Sequence, residues 1–203
     1  MVARILLSAF IFACSAAVGI AAAQMACSRI EPFEDGPRRV NLHPAIPIAF
    51  MIALGVVLAN RGANTLQLAT TALLGVPLIG SWYADSRTGI IPDVFTLVPL
   101  GAIGAFVVVQ HAWYVALWAV LTFAAFASAA LLSRGRGMGW GDAKLAGVAG
   151  AVLGIPWSFG VLGVACLAAT ITSIVRDRGK APIAFGPYIS VSVLIAIALT
   201  VHA

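Results

Sequence analysis

Long apolar runs separated by short polar breaks make up almost the whole chain. They fall at about 3–23, 44–59, 64–84, 94–110, 112–132, 157–175 and 183–202, with a shorter run at 142–154 that stops before Pro156. A membrane-spanning helix needs about 20 predominantly apolar residues. A transmembrane β-strand would instead alternate apolar and polar positions, and these runs are continuous. The pattern predicts eight helical segments, of which 142–154 is marginal in length. The connecting stretches are short, and no soluble domain, repeat or low-complexity tract interrupts them.

Composition sharpens this to a class. Of 203 residues, 62% are hydrophobic and only 9% are charged, against roughly 25% charged in a soluble domain. The chain is expected to be an all-α polytopic membrane protein. Its net charge of +5 does not point to nucleic acid, because the basic residues sit in loops between apolar segments. They report orientation instead. With the amino terminus outside and every segment crossing, the inner positions hold Arg29, Arg38, Arg39, Arg87, Arg134, Arg136, Lys144, Arg176, Arg178 and Lys180, and the outer ones only Arg4 and Arg61. Loops 24–43, 85–93, 133–143 and 176–182 are therefore expected on the cytoplasmic side. Ala21-Ala22-Ala23-Gln24 imitates a signal-peptidase site, so cleavage of the first run is an alternative to its retention. Cys14, Cys27 and Cys166 are isolated, with no CxxC pair and no zinc spacing. No cofactor or metal is expected.

Two carboxylates stand out in a chain with only seven acidic residues. Asp85 ends one apolar run, and Asp142 opens another. An ionisable group at a membrane segment is costly and marks a candidate functional site. The helix dipole favours the charge on Asp142, at a helix start, and opposes it on Asp85, at a helix end. Carboxylates in contrasting environments suit an acid and a base that share one proton. Asp93 is a rival for the same role. It follows Pro92, which suits the first turn of a helix, and reads there as a residue complementing the dipole. Lys144 lies two residues after Asp142, on a different helix face, and is expected to anchor at the inner membrane surface rather than to pair with Asp142. Gly139 and Gly141 permit close backbone approach. Gly150-x-x-x-Gly154 is a close-packing pattern.

Together these stretches resemble the type IV prepilin peptidases, the membrane aspartic proteases of the GxGD type. Gly139-Trp140-Gly141-Asp142-Ala143-Lys144-Leu145 is similar to the family's GxGDxKL motif. Asp85 followed by Ile91-Pro92-Asp93 resembles its first aspartate and the Ile-Pro-Asn/Asp step. Ala184-Phe185-Gly186-Pro187-Tyr188 resembles its Phe-Gly-Pro element. The resemblance covers about residues 64–203. It implies a six-helix catalytic core, placed at 60–203, preceded by a two-segment extension at 1–59. It implies Asp85 and Asp142 as the catalytic pair, with Gly139, Gly141, Lys144, Pro92, Asp93, Phe185, Gly186 and Pro187 as supporting motif residues. The implied reaction is cleavage of prepilin-like leaders (pilin, pseudopilin or flagellin-like) after a glycine, at the cytoplasmic face of a bacterial or archaeal cell membrane. Large members also methylate the new amino terminus and carry a cytoplasmic insert with paired CxxC motifs. Here loop 24–43 holds a single cysteine, so the resemblance is to short, peptidase-only members without a bound metal. The expected partners are the precursor substrates and the lipid bilayer; the sequence leaves oligomeric state open. A small proton- or ion-coupled transporter using the same carboxylates is the alternative.

Overall fold

The computed structural model describes residues 2–29, 42–132, 138–177 and 183–200. They form eight α-helices and no strand: α1 (Val2–Cys27), α2 (Ala45–Asn60), α3 (Thr65–Thr88), α4 (Val94–Gln110), α5 (Trp113–Leu132), α6 (Trp140–Leu153), α7 (Trp157–Asp177) and α8 (Gly186–Thr200). The protein is an all-α polytopic membrane protein, as expected. By length and apolarity α1, α3, α5 and α7 can each cross a bilayer. The other four are shorter, at 16, 17, 14 and 15 residues for α2, α4, α6 and α8. Much of loop 24–43, together with Arg134, Arg136, Arg178 and Lys180, lies outside the described residues.

The helix ends follow from local chemistry. Asn64 caps α3: its Oδ1 accepts from Gln67 N at 2.8 Å, and Gln67 Oε1 accepts from Asn64 N at 2.7 Å. This reciprocal cap satisfies two backbone donors that would otherwise be orphaned. At the far end Gly89 takes a left-handed conformation, φ 72°, and its N–H donates to Asp85 O at 2.9 Å. That turn needs a residue free of the Cβ penalty. It also carries α3 four residues past the apolar run, so Asp85 lies inside the last turn and not in a loop. Likewise α6 begins at Trp140, two residues earlier than the apolar run suggests.

Small residues let the helices meet at backbone distance. A Cβ on Gly19 of α1 would lie 2.5 Å from Val76 O of α3, and one on Gly150 of α6 would lie 2.6 Å from Trp118 O of α5. The expectation that Gly150 and Gly154 serve close packing holds, since Gly154 faces the Trp118 ring. A larger core gathers Phe12, Met51, Leu58, Ile79, Tyr83, Leu145, Ile189 and Leu194 from α1, α2, α3, α6 and α8. The outward faces of α4, α5 and α7 leave Val109, Leu132 and Val175 exposed. An apolar exterior is what a bilayer solvates.

The bundle has two chemically different ends. At one, Arg4 donates to Ala63 O and Arg61 Nη1 donates to Ala198 O at 3.0 Å. Ala63 O lies just beyond the C-terminus of α2 and Ala198 O in the last turn of α8, both places where cations are favoured. At the other end α3 finishes and α4, α6 and α8 start. Asp85, Asp93, Asp142, Lys144 and Gly186 all lie there. Arg4 and Arg61 are the same two residues that the charge count separates from the rest.

Candidate active site

Two helix starts and one helix end build the site. Asp85 approaches from the last turn of α3, and the first residue of α8 meets it: Gly186 N–H donates to Asp85 Oδ2 at 2.7 Å. Contact this close needs a glycine, because a Cβ at 186 would lie 2.9 Å from that same oxygen. Pro187 follows inside the first turn of α8, where the N–H it lacks has no helical partner in any case. Phe185, buried, accepts at its carbonyl from Tyr188 N (3.0 Å) and Ile189 N (3.3 Å). These three residues therefore present one backbone donor to Asp85.

Asp142 sits in the first turn of α6. Its Oδ2 accepts from Gly139 N at 3.0 Å, closing the helix start from within. The carboxylate also complements the positive end of the α6 dipole. Both side chains are nearly closed to solvent, Asp85 at 5% and Asp142 at 8% exposed. They lie near enough to act on each other through space. Two carboxyl groups 57 positions apart in the chain are thus fixed by one backbone N–H each and lie within electrostatic reach at the same end of the bundle. Cys166, on α7, also lies within electrostatic reach of Asp142.

Asp93 takes a different place. It is the residue just before α4, one position short of the expected first turn, and its side chain makes no capping bond. Instead it forms an ion pair with Lys144, Nζ to Oδ1 2.5 Å, with the Asp93 side chain 63% exposed. The expectation that Lys144 would only anchor at the membrane surface misses this partner, although Lys144 does stay off Asp142. Pro92 is buried and its carbonyl accepts from Phe95 N at 3.0 Å, starting α4.

Ile91 enters from the sequence only as part of the Ile91-Pro92-Asp93 step, with no role of its own; its side chain packs between Gly141 and Gly186, a contact the sequence gives no sign of. Among the described residues no group of three or more His, Cys, Asp or Glu side chains converges to hold a metal.

An all-helical membrane protein with a buried pair of carboxylates at one end of its bundle is the class that fold and site define. The model of the type IV leader peptidase family matches residues 72–174, which takes in Asp85, Asp93 and the whole of α6. The chain belongs to the type IV leader peptidase family. It is accordingly a membrane peptidase with a protein substrate. The match starts within α3 and ends before α8, so it leaves out α1, α2 and Gly186. No curated protein and no solved structure matches the chain. Of the two function classes open from sequence, family membership supports the protease.

Proposed function

We propose that the protein is an aspartic endopeptidase that removes the leaders of prepilin-like precursors, with Asp85 and Asp142 as the catalytic pair. The observation that carries this reading is the pair itself: two buried carboxyl groups, each oriented by a single backbone N–H, in a chain of a leader peptidase family. Two like charges buried within electrostatic reach of one another resist full ionisation, and in this reading the pair keeps one proton between them. The ionised carboxylate takes a proton from a water. The oxygen of that water attacks the scissile carbonyl carbon. The protonated partner supplies its proton to the carbonyl oxygen, giving a gem-diol. The carboxyl that took the water's proton then passes it to the leaving nitrogen as the C–N bond breaks, while its partner takes a proton back from a diol hydroxyl, so the new acid forms and the pair again holds one proton. The Gly186 and Gly139 N–H groups fix which oxygen of each carboxyl faces the reaction.

The charge count favours a site facing the cytoplasm, since the sequence pattern assigns ten of the twelve basic residues to the side that takes Asp85 and Asp142. Residues 60–203 form the catalytic core in this reading, and the extension 1–59 buttresses α3 through α1 and α2. Residues 24–27 of the expected loop 24–43, Cys27 among them, belong to α1, and the stretch left before α2 holds no further cysteine and is too short to bury a core of its own. The reading is of a peptidase that leaves the new amino terminus unmethylated and needs no metal.

The test is cleavage of a single-span precursor with a short basic leader ahead of its apolar helix, by the full chain in lipid vesicles. Asp85→Asn and Asp142→Asn should each lose about 10³-fold or more in rate while still inserting. Asp93→Asn should be only partly impaired. A fully active Asp142→Asn ends the aspartic-protease reading. A dead Asp93→Asn beside an active Asp85→Asn moves the first catalytic role to Asp93.

A further inference from the structure

Ile91 stands where α3, α6 and α8 converge. A Cβ built on Gly141 would lie 2.9 Å from Ile91 Cβ, and one built on Gly186 would lie 3.0 Å from Ile91 Cδ1. One side chain, 8% exposed, therefore fills the space between the first turn of α6 and the start of α8. Those two glycines flank the bonds that orient the carboxyl groups. Gly186 itself donates to Asp85. Gly141 lies between Gly139, the donor to Asp142, and Asp142. A shift of α6 toward α8 would drive both backbones into Ile91, and a smaller side chain would let them close.

The segment that carries Ile91 is held at both ends. Gly89 turns it out of α3 through its bond to Asp85 O. Asp93 ties it to Lys144, which stands two residues past Asp142 on the same helix. Isoleucine is also stiff at χ1, which suits a part that keeps a distance.

We infer that Ile91 is a positioning residue, a spacer that sets the separation of the Asp85 and Asp142 carboxyl groups, and that the Lys144–Asp93 ion pair holds the spacer in place. It acts through Gly141 and Gly186 and not on the substrate. This rests on the reading of Asp85 and Asp142 as the catalytic pair.

The experiment uses the full chain in lipid vesicles with the same single-span precursor, and measures kcat, KM and thermal unfolding. Ile91→Ala should lower kcat by about 10–100-fold, the cost of misplacing a reacting group by about 1 Å, with KM within about twofold of the parent. Ile91→Val, which keeps the β-branch, should restore most of kcat. Asp93→Lys and Lys144→Asp should each lower kcat, and the double swap should recover it. An Ile91→Ala variant with unchanged kcat overturns the inference, as does one that raises KM alone. So does a charge swap no better than its single parents. If Ile91→Ala fails to fold, Ile91→Val and the charge swap decide. Asp85→Asn and Asp142→Asn run alongside: if they still cleave, the catalytic-pair reading falls. If they are dead while Ile91→Ala matches the parent, only the spacer falls.

Discussion

Replacing Gly186 by alanine adds a single methyl group at the most crowded point of the site. The new Cβ would lie 2.9 Å from Asp85 Oδ2, 3.0 Å from Ile91 Cδ1 and 3.2 Å from Asp85 Cβ. Ordinary contact begins near 3.4 Å, so the closest pair must separate by about 0.5 Å. Two of the three are side-chain ends, but Asp85 Oδ2 is held by the Gly186 bond and the Ile91 side chain is backed by Gly141. Overpacking of this kind costs about 1–3 kcal/mol, and the 2.7 Å bond to the carboxyl is of a type worth about 1.5–3 kcal/mol. The two overlap, because the strain is relieved by lengthening that bond. If about 1.4–2.7 kcal/mol of it is felt in the transition state, the rate falls about 10–100-fold. Gly104→Ala is the matched control: its Cβ meets nothing within 4 Å, and a mid-helix alanine gains about 0.5–1 kcal/mol over glycine. Precursor cleavage read on a gel, beside thermal unfolding of each variant, separates the two. A Gly186→Ala protein cleaving at the parent rate would show that the Gly186 contact does not orient Asp85.

Gly150→Ala should destabilise the bundle by about 1–3 kcal/mol, because its Cβ would lie 2.6 Å from Trp118 O; an unchanged unfolding midpoint contradicts the α5–α6 packing. With the three native cysteines replaced, a cysteine at Arg87 should escape labelling by a membrane-impermeant thiol reagent added outside intact cells, and labelling there would invert the topology. Product made by the purified enzyme with a sulfonium methyl donor should show no added methyl mass on its amino terminus. A gain of one methyl group, or loss of cleavage on adding a zinc chelator, would mean that loop 24–43 has been misjudged.

The apolar runs located every helix because burial in lipid demands continuous apolarity, and that demand is written residue by residue. They placed helix ends less well. Ser86-Arg87-Thr88 is polar yet helical, since polarity marks where the hydrocarbon stops and the backbone turns only where Gly89 allows it. Asp142 was legible because its neighbours, Gly139 and Gly141, are special residue types. Asp85 was legible as a charge at the end of an apolar run. Their partners were not, for three separate reasons. The Gly186 N–H is a backbone group, and every non-proline residue has one. Ile91 was legible only as part of the Ile-Pro-Asp step, and nothing in an apolar side chain says which two glycines it will meet. The Lys144–Asp93 pair joins residues 51 positions apart, and helix spacing around Asp142 could say only which carboxylate Lys144 avoids.

The four short helices have a consequence for the membrane itself. At 1.5 Å per residue, α2, α4, α6 and α8 reach about 21–26 Å, against a hydrocarbon thickness of about 30 Å. All four begin at the end that holds Asp85 and Asp142, while the longer α1, α3, α5 and α7 finish there. A bilayer matched to the short set must thin or dimple beside them, and head groups and their hydration follow the dimple inward. If Asp85 and Asp142 are the catalytic pair, as proposed, such thinning brings water toward the depth of the two carboxyl groups without a pore through the protein, and a leader peptide is cut there while the apolar helix behind it stays in oil. On that proposal the shortness of α6, a poor fit for a span, is a means of lowering the water surface to the peptide bond.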